Sequence, residues 1–225
     1  FNAAFFVSRF FLPLHPKIWS CNFYQFWFFS KVQSCAILIK KQKRGFVMTN
    51  EKLKKLILTA LFAALACIAT MIMKIPTPGT GGYIHVGDAI VILSGVVLGP
   101  WYGFAAAGLG SCMADLIGGY FIYVPITFVI KGLIALATGL VYRAIGKSNK
   151  MRYAGVLLGG VIDIVFVAGG YFLCEFFIYG AGAFESIPAN IIQGVGGLII
   201  SAVLYPALIA VPYIRQQAFG ITDKQ

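Results

Sequence analysis

Between Leu53 and Tyr213 the chain returns six times to apolar runs, to be judged against the roughly 20 residues a helix needs to cross a bilayer. The first runs from about Leu53 to Met73. Pro76 and Pro78, with Gly79, Gly81 and Gly82, then make a loop that cannot stay helical. The second, about Val86 to Leu98, is short. The third runs from Trp101 to Gly119, the fourth from Pro125 to Ile145, the fifth from Tyr153 to Ile178 and the sixth from Ile187 to Tyr213. Hydrophobic residues make up 60% of the chain and charged residues 11%, with a mean hydropathy of +0.87, far from the balance of a soluble domain. The fold class that follows is an all-α integral membrane protein: six transmembrane helices in a compact bundle, with no soluble domain left over.

Two acids stand inside this apolar sequence, Asp88 and Asp115. A carboxylate at the centre of a membrane helix costs about 2.5 to 3.5 kcal/mol on insertion scales, so such acids face a protein interior or a wet cavity. The residues around them are small. Gly95, Gly99 and Gly103 recur every fourth position, as do Ala106, Gly110, Ala114 and Gly118, and a parallel row runs Gly103, Ala107, Ser111, Asp115. Rows of this kind let helix backbones touch in lipid. The expectation is two closely packed helices, broken at Gly99–Pro100, that carry their acids toward a shared interior.

The net charge of +11 invites a nucleic-acid reading, but residues 1–47 hold seven Lys/Arg and no acid, leaving +4 for Met48 onward. Most of the remaining basic residues fall at helix ends, where they set topology rather than bind nucleic acid. Residues 1–47 begin at Phe1, are crowded with Phe and Trp, end in a basic run from Lys40 to Arg44, and lack the order of a signal peptide. Met48 onward reads as an ordinary start before a first membrane helix. The expectation is that residues 1–47 are an upstream or misassigned extension without a domain, and that 48–225 form the membrane domain. The five cysteines form no C-x-x-C pair and read as packing residues. With only His15 and His85 to offer imidazole, a histidine metal site or catalytic relay has almost no material, so no catalytic residue, metal or cofactor is expected.

If both termini are cytoplasmic, Lys52, Lys54, Lys55, Arg143, Lys147, Lys150, Arg152, Arg215 and Lys224 all fall inside, and the external loops keep only Lys74. Asp88, Asp115, Lys131, Glu175, Asn190 and Gln193 then share the outer half of the membrane although they come from five helices. Buried polar groups in lipid must find partners or water, and an outward-facing polar pocket is one arrangement that supplies both. In the fifth run Asp163, Val167, Tyr171 and Glu175 follow at four-residue steps, and in the sixth Asn190, Gln193 or Gly194, Gly197 and Ser201 share a face. Asp88, Asp115 and Lys131 read as a buried ion network that locks helices together. Glu175, Asn190 and Gln193 read as ligand contacts. Tyr83 and His85, on the loop before the second helix, could close over a bound molecule or be plain loop residues.

These features together resemble the six-helix S components, the substrate-binding subunits of energy-coupling factor (ECF) vitamin transporters, in particular the riboflavin-type group. The resemblance spans about Leu56 to Tyr213 and rests on Gly87-Asp88, Gly99-Pro100, the segment from Gly110-Ser111 to Ala114-Asp115, and Lys131-Gly132, in that order. Ala60 to Ala64 is similar to the small-residue patch with which S components meet the transmembrane T protein, placing Ala60 and Ala64 at that interface. The resemblance implies a high-affinity subunit in the bacterial plasma membrane that binds a vitamin or precursor from outside and associates with a T protein and two ATPase subunits. The chain itself has no G-x-x-x-x-G-K-[ST] loop. By position, the family's ligand site points to Tyr83, His85, Lys131, Tyr171, Glu175, Asn190 and Gln193. Such a pocket suits a flat polar heterocycle: hydroxymethylpyrimidine or pyridoxine first, riboflavin next. A membrane-embedded enzyme and a stand-alone secondary carrier or channel are the rival classes. The first lacks a D-x-x-D or H-E-x-x-H grouping, and the second lacks an internal repeat.

Overall fold

The structure is a computed structural model that describes residues 51–76, 82–146 and 148–219. The expectation for residues 1–47 therefore lies outside the described residues. Each of the six apolar runs forms a helix: α1 (Glu51–Ile72), α2 (Asp88–Leu98), α3 (Pro100–Gly118), α4 (Tyr123–Ile145), α5 (Asn149–Tyr179) and α6 (Ser186–Ile209). A 3-10 turn, Gly180–Glu185, joins the last two, and a short α7 (Pro212–Phe219) follows. The loop after α1 carries a two-residue antiparallel ladder, β1 (Ile75–Pro76) on β2 (Tyr83–Ile84), with Ile75 opposite Ile84. By length and hydropathy α1, α4 and the α5–α6 stretch are long and apolar enough to cross a membrane.

Helix α2 is the hub. It has 11 residues, about 16 Å at 1.5 Å per residue, too short to span a hydrocarbon core of about 30 Å. Ten of the 11 are buried, so it runs through the interior with neighbours on every side. The small-residue rows make this possible. A Cβ on Gly95 would lie 2.3 Å from the Ala135 carbonyl of α4, one on Gly103 2.8 Å from the Gly95 Cα, and one on Gly110 2.3 Å from the Ala63 carbonyl of α1. Backbone-to-backbone contact of this closeness leaves no room for any side chain. At the α2–α3 corner Gly99 takes φ +81°, a conformation other residues rarely adopt, and Pro100 then starts α3. The chain thus turns where Gly99–Pro100 was expected to turn it.

The sixth run ends earlier than its hydropathy suggests. Pro206 has no N–H for the Ala202 carbonyl one turn back, and the Tyr153 hydroxyl of α5 donates to that carbonyl instead, at 3.4 Å. The helix stops at Ile209, and Tyr213, placed by the sequence in the sixth span, belongs to α7. At the start of α5 the Ser148 side chain accepts from the Met151 amide at 3.3 Å, a standard N-cap.

The helices alternate in direction, so the bundle has two chemically different ends. One gathers the start of α1, the α4–α5 connection and the α6–α7 corner, with Lys52, Lys54, Lys55, Arg143, Lys150, Arg152 and Arg215. The other gathers β1 and β2, the first turn of α2, the end of α3 and the 3-10 turn, with Asp88, Asp115, Glu175 and Glu185. Besides Lys131, which pairs with Asp88, this end has Lys74, held 4.7 Å from the Tyr83 ring centroid and 5.2 Å from that of Tyr120.

Candidate functional site

The acidic end contains a cavity. Tyr83 and His85 from the β2 loop form one wall, Asp115 of α3 and Thr127 of α4 another, and Tyr171, Glu175, Asn190 and Gln193 of α5 and α6 the rest. Its volume is about 20 Å³, space for about one water. The stripes read from the sequence account for the α5 and α6 walls. Asp163, Val167, Tyr171 and Glu175 are all buried, and so are Asn190, Gln193, Gly194, Gly197 and Ser201.

Most wall residues are held by hydrogen bonds between elements distant in sequence. The Tyr83 hydroxyl donates to Asp115 Oδ1 at 2.6 Å, and the His85 amide donates to Gln193 Oε1 at 3.0 Å, which together fasten the loop over the cavity. Glu175 Oε1 accepts from the Tyr123 hydroxyl at 2.9 Å and Oε2 from Ser186. Thr127 and Tyr171 share a hydroxyl–hydroxyl bond of 3.0 Å. Asp115 Oδ2 is different: it is buried without a partner in normal hydrogen-bond geometry, although the Thr127 side chain faces the carboxylate. A buried carboxylate oxygen without a donor is a strong acceptor in waiting, since leaving such a group unmade costs more than a typical bond returns.

Beneath the cavity lies a second polar layer. Lys131 pairs with Asp88 Oδ1, both side chains fully buried, and Gln193 Nε2 donates to Asp88 Oδ2 at 2.8 Å. Asp163 is also fully buried, with neither oxygen bonded. It stands beside Asp88 across Gly197, where a Cβ would lie 2.7 Å from the Asp88 Cβ and 3.2 Å from Asp163 Oδ2. Gln193 therefore belongs to both layers, accepting a hydrogen bond from the His85 amide and donating one to Asp88.

His85 Nδ1 accepts from the Gly87 amide at 3.0 Å, which places the ring proton on Nε2. Burial, with a smaller contribution from Lys131 and against the pull of Asp88, pushes its pKa down to about 4, so the ring is neutral at ordinary pH. Tyr83 is shifted upward by burial and by its bond to Asp115, and stays a hydrogen-bond donor.

The seven residues expected around a ligand divide six to one. Tyr83, His85, Tyr171, Glu175, Asn190 and Gln193 line the cavity, whereas Lys131 lies below it, its ammonium 5.5 Å from the Tyr171 ring centroid and committed to Asp88. The expected network of Asp88, Asp115 and Lys131 also divides. Asp88 and Lys131 form it with Gln193, while Asp115 lines the cavity and bonds Tyr83 instead. One lysine reaches one carboxylate, and the α3 register carries Asp115 to the mouth. Sequence reading missed Tyr123, Thr127 and Ser186. Tyr123, Thr127 and Lys131 are spaced by four on α4, the same signal that revealed the α5 stripe. Ala60 and Ala64 are exposed on the outer face of α1.

Comparison with known proteins places this arrangement. A curated protein of Pyrococcus woesei, described as an uncharacterized protein in a gap 3' region, is 36% identical over 134 residues, 59% of this chain and 86% of its own. The thiamine precursor transporter HmpT of Lactococcus lactis is 27% identical over 72% of this chain and 92% of its own. A solved structure, titled as the S component of a bacterial ECF transporter, superposes with a TM-score of 0.52 at 23% identity, over 71% of this chain and 98% of that one, a likeness of fold. The profile of the family described as ECF-type riboflavin transporter, S component, matches residues 50–210. S components are multi-pass plasma-membrane subunits, not an enzyme class, that bind vitamin-like substrates and work with a T protein and ATPase subunits. The six apolar helices, the polar chamber at one end and the matched span lead to one assignment: this chain belongs to the ECF-type riboflavin transporter S component family.

Proposed function

We infer that the chamber at the acidic end is the capture site for a flat heterocycle bearing hydrogen-bond donors, and that Asp115, rather than Lys131, supplies its principal charged contact. The observation that carries this is the buried Asp115 Oδ2 without a regular partner, in a cavity walled also by tyrosines, Thr127, a neutral imidazole, two carboxamides and the Glu175 carboxylate, whose two oxygens are already taken by Tyr123 and Ser186. A ring N–H or amino group would meet the carboxylate in a site shielded from water, where charge-assisted hydrogen bonds are strongest. Tyr83 and Tyr171 offer ring faces for stacking, and Asn190 and Gln193 can match donors and acceptors on a ring edge. Hydroxymethylpyrimidine heads the proposal, supported by the likeness to a thiamine precursor transporter; pyridoxine and a riboflavin-like ring follow. Since the cavity holds about one water, admission of a ring requires Tyr83 to leave Asp115 and the loop to swing aside.

The proposed topology has both termini cytoplasmic and the chamber open to the exterior, a reading supported by the concentration of basic residues at the opposite end under the positive-inside rule. The exposed Ala60 and Ala64 on α1 are proposed to meet the T protein. No catalytic role is assigned to any residue.

Native mass spectrometry of detergent-purified protein from cells grown in rich medium identifies the co-purifying molecule by mass. With that molecule in hand, calorimetry should show Asp115→Asn weakening binding by about 1.5 to 3 kcal/mol, the range for a hydrogen bond to a charged group. Glu175→Gln should instead act mainly on stability, because both Glu175 oxygens already serve Tyr123 and Ser186. Unchanged affinity in Asp115→Asn removes Asp115 from the site. Uptake that persists in cells lacking the T protein and ATPases rejects the S-component role in favour of a self-sufficient carrier.

A further inference from the structure

The basic end of the bundle holds a second and larger cavity, of about 330 Å³, between the start of α5, the end of α6 and α7. Tyr205, Ile209 and Phe219 form apolar walls, and Asn149, Tyr153 and Arg215 stand at its rim. Two guanidinium groups lie against the ring of the wall residue Phe219: Arg215, itself in the cavity wall, is 5.5 Å from the centroid, and Arg152, outside the wall, is 3.4 Å from it. Arg152 also donates through Nε to the Gly146 carbonyl at 2.9 Å, which fixes its position. Neither arginine is paired with a carboxylate among the described residues; Asp88, Asp115, Glu175 and Glu185 belong to the opposite end, while Glu51 begins α1 at this one. Two cations against one aromatic ring, with no carboxylate paired to either among the described residues, make a site suited to a negative ligand.

The form of that component follows from the surroundings. Guanidinium forks match phosphate oxygens bidentately, and basic pockets between membrane helices at the positively charged face take anionic headgroups. The outer surface of α5 and α6 beside the cavity is apolar and exposed, through Leu157, Leu158 and Val203, the last 70% exposed, so a molecule anchored at the arginines has a hydrocarbon-compatible path along the bundle. Tyr153 and Tyr213 are partly or fully exposed at this level, as aromatic residues are at a headgroup boundary. A soluble phosphate compound would make no use of that path. We propose that this cavity binds one anionic phospholipid, its phosphate held by Arg215 at the rim, with Arg152 behind the Phe219 ring adding to the positive field, and an acyl chain lying along α5 and α6. The capture chamber is at the other end of the bundle, so the two sites are separate.

Native mass spectrometry of the full chain, purified in detergent with equimolar phosphatidylglycerol and phosphatidylcholine, provides the test. The expected result is one retained lipid per chain, with phosphatidylglycerol preferred at least tenfold. Arg215 makes only the ring contact and is exposed, so Arg215→Gln should keep the thermal midpoint and abolish the preference, and Arg215→Lys should restore it in part. Asn149→Ala is a second rim variant that leaves both arginines in place, and it should weaken retention. Equal retention of the two lipids, or undiminished preference in Arg215→Gln, overturns the proposal. Displacement of phosphatidylglycerol by millimolar inorganic phosphate overturns it as well, by showing a phosphate site with no use for the acyl chain. So does a dimeric species whose formation excludes lipid, which would make the cavity a contact between two copies.

Discussion

Lys131 and Asp88 show how much a single pair can decide in this interior. Both are fully out of solvent, and removing either leaves an uncompensated charge, which in buried pairs costs about 3 to 5 kcal/mol. Lys131→Met should therefore lower the thermal midpoint in detergent sharply, and the double variant Lys131→Met with Asp88→Leu should recover much of the loss, a coupling that a double-mutant cycle measures. His85 makes a prediction of a different kind. Its folded-state pKa of about 4 lies below the ordinary value of 6.5, so the unfolded chain takes up the proton first. Stability should be full above about pH 6.5, fall as the pH drops toward 4, and level off below it; His85→Asn should flatten that part of the pH–midpoint curve. At this scale the sequence was partly legible. That Asp88 and Asp115 need an interior follows from their apolar surroundings, but which one Lys131 reaches depends on the rotation of α3 against α4, which no local pattern records.

The helices were the most readable level, because proline, glycine and hydropathy act locally. Gly99–Pro100 breaks α2 from α3 where the sequence says it should, and the fourfold spacing of Asp163, Val167, Tyr171 and Glu175 yields one buried face. The end of α6 was less readable, since Pro206 lets the helix run one more turn only because Tyr153 from another helix takes over the orphaned carbonyl. The close contacts of α2 and α3 predict where substitutions hurt. Gly95→Ala and Gly110→Ala each drive a methyl into a neighbouring backbone carbonyl and should cost about 1 to 3 kcal/mol by overpacking. Gly196→Ala on α6, where nothing lies within 4 Å, should be neutral or gain up to about 1 kcal/mol from helix propensity, and thermal unfolding of the three variants separates the cases.

For the molecule as a whole, the division into an acidic chamber and a basic opposite end was present in the order of charges along the chain, because alternating helices send every second connection to the same side. The cavities themselves were not, since each is bounded by residues from three or more elements. Partner binding belongs to this scale. Replacing Ala60 and Ala64 by Leu should reduce co-purification of the T protein and ATPases and abolish uptake, while calorimetric affinity for the captured molecule stays unchanged, because both residues are on the outer face of α1 away from the chamber. The double role of Gln193 has one more implication. Through its carboxamide the latch over the mouth is wired to the first turn of the central 11-residue rod. Cargo that pulls on Gln193 or lifts His85 therefore tugs on the keystone around which the other helices are stacked, and the empty and loaded subunits would differ in how firmly the whole arch is locked.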